Sequence, residues 1–187
     1  MDSYAEYEWE ILFVNDGSRD NTLKIIKEVR QQDDSINYVD LSRNFGKEIA
    51  MIAGIDHINS DAMIVMDADL QDPPELIKEM LYWWEQGYKD VCAKRKSRAG
   101  ETWFKKWSSH TYYKVLQKVI RIPVQPDVGD FRLLDRQCID ALKQMRESQR
   151  YTKGLFSWIG FDKKEILFDR DARVAGKTKW NYFSLFN

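Results

Sequence analysis

The sequence predicts an α/β protein with a mostly parallel sheet flanked by helices. Short apolar runs of strand length recur along the chain, and segments with helical apolar spacing lie between them. Polar clusters follow several of the runs, where a sheet would expose its strand ends. In sheets of this class ligands bind beyond the carboxyl ends of the strands. Those clusters are therefore the first place to look for chemistry.

The first run, Glu10 to Val14, has a buried-strand pattern and is stopped by Asn15-Asp16-Gly17-Ser18. Asp20 or Asn21 is placed to cap the next helix, in which Ile25, Ile26 and Val29 fall on one face. Ile36 to Leu41 predicts a second strand, with Ser42 to Gly46 as its exit loop. A helix through Ile49, Ile52, Ala53 and Ile58 follows, and then a third strand from Ala62 to Met66. Asp72-Pro73-Pro74 opens another helix, because the N–H that proline lacks is unused in a first turn. Its apolar stripe is Ile77, Met80, Leu81 and Trp84, and Gly87 ends it. Asp90 to Lys94 predicts a fourth strand, and Phe104, Trp107, Thr111, Val115 and Val119 predict a helix over 102–120. Beyond Pro123 and Pro126, a short segment from Gly129 to Leu134 leads into a helix near Ile139, Leu142 and Met145. Glu165 to Phe168 is the last predicted strand. With no repeat and no linker rich in Gly or Ser, the reading is one domain.

Composition narrows the class. At 187 residues, 43% hydrophobic and 13% aromatic, the chain is long and apolar enough to bury a core. Twenty-nine basic residues against 30 acidic ones give a net charge of −1, so no global field draws the protein to nucleic acid. Two stretches are locally basic and aromatic: Lys94 to Arg98 with Trp103 to Trp107, and Arg170 to Phe183. They suit a membrane headgroup contact, an anionic ligand, or simply solvated faces. Cys92 and Cys138 lack metal-ligand spacing; Cys92 reads as a small buried apolar residue, and a reducing cytoplasm is the natural compartment. The longest apolar runs are about five residues, too short to span a bilayer, and no targeting segment is expected at the N-terminus. His57 beside an apolar stripe, and Trp83 and Trp84 on their helix, read as structural; His110 carries no assignment.

Three clusters could carry chemistry: Val14 to Thr22, Met66 to Asp72 and Gly129 to Leu133. Any single one could be only a turn or a helix cap, but all three fall at strand ends. Asp67 and Asp69 form the sharpest pair, since a bend at the strand exit lets both carboxylates reach one divalent ion or one ribose. Hard oxygen ligands select Mg²⁺ or Mn²⁺, which keep waters and bridge substrate phosphates. Such an ion would neutralise a nucleoside diphosphate leaving group.

With these residues assembled, the chain resembles glycosyltransferase family 2, in particular its polyprenyl-phosphate branch of dolichol-phosphate mannosyltransferases and undecaprenyl-phosphate glycosyltransferases. The matching segments are VNDGSRDNT at 14–22, LSRNFGKE at 41–48, DADLQDPPE at 67–75, GDFRLLDR at 129–136 and RVAGKTKW at 173–180. The resemblance implies a GT-A fold over 1–187, with 170–187 as a membrane-proximal acceptor-loop tail. It implies an inverting transfer of a hexose, from a UDP-sugar by preference, to undecaprenyl phosphate for cell-envelope glycan modification. It further implies that Asp16 contacts the nucleotide, Asp67 the donor, and Asp69 (with Asp67) the metal. Asp130 matches the position assigned as catalytic base; Arg95, Arg98, Arg173 and Lys179 match residues around the acceptor phosphate. A phosphomonoester has its second pKa near about 6 and is largely anionic at neutral pH, so it needs little deprotonation. Asp130 is accordingly expected to position Arg132 or the acceptor, with any base role secondary. Work at the inner face of the cell membrane is implied, and a homo-oligomer is left open.

The chain departs from the family at both ends. The opening strand and its Pro-x-Tyr-Asn-Glu motif do not precede the first run, and the chain stops at Asn187, where relatives continue into membrane helices. Truncation at both ends and a weakened or absent activity are therefore expected. The alternative is an inactive nucleotide-sugar-binding or partner-binding remnant. A processive polysaccharide synthase would carry Gln-x-x-Arg-Trp, which Gln149 to Lys153 does not match, and an aspartyl phosphatase would need a Lys and acidic pair that is not found.

Overall fold

The computed structural model describes residues 6–69, 71–96, 128–145 and 152–168. The predicted helix over 102–120 and the tail at 170–187 lie outside the described residues, as do Arg98, His110, Arg173 and Lys179. Among the described residues, six strands and five helices follow in order: β1 (Ile11–Asn15), α1 (Thr22–Arg30), β2 (Ile36–Asp40), α2 (Lys47–His57), β3 (Ala62–Val65), α3 (Leu76–Glu85), β4 (Asp90–Arg95), β5 (Val128–Asp135), α4 (Arg136–Gln144), α5 (Thr152–Trp158) and β6 (Lys163–Phe168).

The strands form a parallel pair, β1-β2, and a four-stranded sheet in the order β3-β5-β4-β6. The α/β reading holds, with one difference from a mostly parallel sheet. The segment read as a short lead into a helix is the eight-residue strand β5, and it runs antiparallel to both β3 and β4. Among the described residues, only β4 and β6 pair in parallel within this larger sheet. Among the described residues, β1 and β3 each pair along one edge only.

β5 also organises the core, because its alternate residues face opposite sides. Phe131 and Leu133 enter a cluster with Met80, Leu81, Val91, Ala93, Ile166 and Phe168, which seats α3 on one face. Leu134 enters the other cluster, with Ile55, Met63, Cys138, Ile139, Leu142 and Phe156, which seats α2, α4 and α5 on the opposite face. Leu133, Leu134 and Ile139 are fully buried, and truncating any one to alanine would cost about 2–5 kcal/mol. The smaller sheet is thinly covered: α1 buries Ile26 alone, while Ile25 and Val29 stay exposed.

Helix α2 ties the two sheets together. A Cβ on Gly54 would lie 3.1 Å from the Val14 side chain on β1, and the next residue, Ile55, belongs to the core of the larger sheet. Helix α4 starts at Asp135, whose side chain accepts from the Gln137 amide in ordinary N-cap fashion. Trp84 packs against the first cluster and donates its indole N–H to Asp135 at 2.8 Å; Trp83 packs there too, beneath the Lys164 ammonium. Both tryptophans are therefore structural, as expected. So is His57, whose Nδ1 lies 2.7 Å from the carbonyl of Ala53. Both cysteines are free and buried, and burial first, then nearby carboxylates, pushes Cys92 up to about 11 and Cys138 up to about 12.

Candidate active site

The three polar clusters meet at one edge. β5 enters the larger sheet where β3 and β4 leave it, because it is antiparallel to both. The β3–β5 register pairs Val65 with Arg132, and continuing it past the end of β3 sets Asp67 against Asp130. The structure bridges these two carboxylates with one ammonium. Lys47 Nζ lies 2.7 Å from Asp67 Oδ1 and 2.7 Å from Asp130 Oδ2. Desolvation, the largest single influence on Lys47, favours its neutral form, but the hydrogen bonds and charges of Asp130 and Asp67 outweigh it and raise its pKa. Lys47 is thus fully charged at neutral pH.

Lys47 is placed by the first cluster. The Asp16 carboxylate accepts from the Phe45 amide at 2.7 Å and from the Gly46 amide at 3.0 Å, the two residues directly before Lys47. Asn15, 4% exposed, braces the same loop: its side-chain amide donates to Asp40 at 2.8 Å and its carbonyl accepts from the Leu41 amide. Gly17 lets the two loops touch. Its φ is +66°, and a Cβ there would stand 2.5 Å from backbone atoms of Arg43 and Asn44.

In the second cluster, Asp72 accepts from the Asp67 amide at 3.3 Å and Asp69 from the Gln71 amide at 3.1 Å, which folds the turn after β3. Arg95 ends β4 at the same edge, and the neighbouring Lys96 amide donates to the Phe168 carbonyl at the end of β6. Asp16, Asp67, Asp69, Asp130 and Arg95 thus lie along one edge of the fold.

Arg132 does not join them. Its guanidinium is 2% exposed and pairs at 3.1 Å with Asp90, itself 1% exposed. It also donates to the Gly129 carbonyl at 3.2 Å and stacks over the Phe156 ring at 4.0 Å. The expected partnership of Asp130 with Arg132 is therefore corrected: Asp130 pairs with Lys47, and Arg132 faces the core with Asp90. Sequence reasoning also passed over Lys47, which lay inside a matching segment without being singled out. The signal available was its place one residue after Asn-Phe-Gly, at the start of a helix.

No group of three or more His, Cys, Asp or Glu side chains gathers into a metal cage among the described residues. Asp67 and Asp69 offer carboxylates only, which is the donor set of Mg²⁺ or Mn²⁺ held by one or two protein ligands with waters and phosphates completing the shell. Asp67 already pairs with a cation, the Lys47 ammonium, at 2.7 Å. The residues fit such an ion.

With the geometry in place, similarity to known proteins becomes informative. Residues 2–143 match glycosyl transferase family 2. The chain belongs to that family. It is 51% identical over 179 residues to the uncharacterized glycosyltransferase sll0501 of Synechocystis, covering 96% of this chain and 56% of that protein. It is 39% identical over 187 residues to the prophage bactoprenol glucosyl transferase homolog of Escherichia coli, covering 100% and 61%. The bactoprenol glucosyl transferase of Shigella phage SfX is 39% identical over 181 residues, with 97% and 59% covered. The family-2 chain thus spans little more than half the length of the relatives it matches. Its fold is shared with the mannosyltransferase of Pyrobaculum calidifontis in complex with GDP-Man and Mn²⁺, at a TM-score of 0.58 and 13% identity over 90% of this chain and 49% of that one. The GT-A glycosyltransferase fold follows. Among the described residues, no helix is long and apolar enough to cross a membrane.

Proposed function

We propose that this chain is the catalytic core of an inverting glycosyltransferase that moves a hexose from a UDP-sugar to undecaprenyl phosphate at the inner face of the cell membrane, for cell-envelope glycan modification. The observation that carries the reading is the meeting of Asp67 and Asp130 on Lys47 at the strand edge, in a family-2 chain similar to bactoprenol glucosyl transferases.

In this reading the acceptor phosphate oxygen attacks the anomeric carbon as the bond from that carbon to the diphosphate breaks. Asp67 and Asp69 would hold Mg²⁺ or Mn²⁺, whose chemistry is to neutralise charge developing on the departing diphosphate. Asp16 would contact the nucleotide with the oxygen lone pairs that the Phe45 and Gly46 amides leave unused. The acceptor arrives anionic, so Asp130 has little proton to remove and serves instead to orient the acceptor. Arg95, with Arg98, Arg173 and Lys179, would bind the acceptor phosphate as charge-assisted donors.

The test is a donor screen that reads nucleotide release and lipid-linked sugar, with short-chain polyprenyl phosphate as acceptor, with and without Mn²⁺. Metal-dependent transfer from one UDP-hexose is the expected result. Mn²⁺-dependent UDP binding without transfer would instead favour a nucleotide-sugar-binding remnant, and no binding a partner-binding one.

A further inference from the structure

We propose that Lys47 is the resident counter-cation of the donor site: its ammonium neutralises Asp67 and Asp130 before the donor arrives, and transfers to the donor diphosphate when a divalent ion takes its place on Asp67. The inference rests on the glycosyl-transfer reading and adds to it a positioning residue for the diphosphate.

The argument begins with charge. Two carboxylates from different strands are brought together where the β3–β5 register ends, and without a cation between them they would repel. Lys47 supplies that cation at 2.7 Å from each. A divalent ion binding Asp67 would meet the same ammonium as a like charge next door, so ion and ammonium cannot both keep that contact. Lys47 is free to yield, since its side chain is 49% exposed and rides a flexible four-carbon stem. Its backbone is not free, being the first residue of α2, directly after two amides gripped by Asp16. The side chain is therefore anchored beside Asp67 and Asp130, and a diphosphate held by an ion on Asp67 would come within its reach. A compact ammonium with three donors suits phosphate oxygens as a point charge.

The experiment separates metal from nucleotide. Mn²⁺ binding is measured by the electron paramagnetic resonance of the free ion, for the wild-type chain and for Lys47→Met and Lys47→Arg, each first checked for native circular dichroism. Without nucleotide, Lys47→Met is expected to bind Mn²⁺ about tenfold more tightly, because a competing charge is gone. Lys47→Arg, which keeps the charge, is expected to match the wild type. With Mn²⁺ saturating, UDP is expected to bind Lys47→Met about tenfold more weakly, its diphosphate having lost a charged partner. Unchanged or weaker Mn²⁺ binding by Lys47→Met overturns the counter-cation role, as does the absence of Mn²⁺ binding by all three proteins. Unchanged UDP affinity overturns the transfer to diphosphate. If Lys47→Met fails to fold, Lys47→Gln takes its place with the same expectations. Failure of the wild type to bind any nucleotide overturns the glycosyl-transfer reading and the diphosphate role together, while the metal arm still decides whether Lys47 guards Asp67.

Discussion

Asp90 and Arg132 form an ion pair at 3.1 Å with both side chains almost wholly out of water. Lys163 lies 3.3 Å from the same Asp90 carboxylate, so among the described residues Asp90 has two cations while Arg132 has one anion, and Arg132 Nε finds no hydrogen-bond acceptor there. Removing one member of a buried pair strands the other at a cost of about 3–5 kcal/mol. Asp90→Ala should therefore cost at least that much in urea unfolding. Arg132→Met should cost less, because Lys163 still neutralises Asp90. Per folded molecule, Arg132→Met should retain most sugar-transfer activity; a loss of a thousandfold or more would return Arg132 to the catalytic machinery.

Gly17 should be intolerant of even one added carbon. Gly17→Ala meets both a left-handed backbone and the Arg43–Asn44 peptide at 2.5 Å. The strain and displacement should lower stability by about 1–3 kcal/mol, read as a fall in the thermal midpoint. Nucleotide binding should weaken alongside it, since the displaced loop carries Phe45 and Gly46.

Asp130→Asn distinguishes orientation from proton removal. If Asp130 orients the acceptor, the variant should lose activity by a similar factor at every pH between about 7 and 9, where the acceptor phosphate is already ionised. Recovery of kcat as pH rises would mean that hydroxide replaces a missing base, and the orienting role would fall.

Asp135 should contribute to acid sensitivity. Burial alone would push its carboxyl up, but the Gln137 amide, the Trp84 indole and Lys89 outweigh it and hold the pKa below the ordinary value. A carboxylate depressed in the folded state stabilises it above the unfolded pKa of about 3.9, and that contribution is lost as pH falls through the folded value. Asp135→Asn should thus be less stable than the wild type at neutral pH, with the gap narrowing below about pH 4 in acid-unfolding curves.

Much of the fold was legible because strands and helices carry different periods. Ile11–Asn15, Ile36–Asp40, Ala62–Val65 and Asp90–Arg95 lie within a residue or so of their sequence-based positions. β5 was not legible as a strand, since Gly129-Asp130-Phe131-Arg132-Leu133-Leu134 places a charge at a buried position and breaks the expected alternation. Its counter-charge is Asp90, which is distant in sequence. The short helix Thr152–Trp158 was missed because seven residues carry too little periodicity. For the site, the acidic clusters were visible, but their pairing was not. The placing of Asp67 opposite Asp130 follows from the antiparallel register of β3 and β5, and Lys47 becomes notable only once that register is known.

Gly54 acts as a spacer whose effect is felt elsewhere. With Val14 on one side and Ile55 rooted in the larger core, it sets how near α2 can ride to β1. A helix is stiff over such a span, and seven residues of about 1.5 Å rise put the far end, Lys47, roughly 10 Å away. A Cβ at position 54 would press on the Val14 side chain at 3.1 Å, and any shift of α2 that followed would carry the ammonium with it, so affinity for a cation is open to tuning from a position that never touches one.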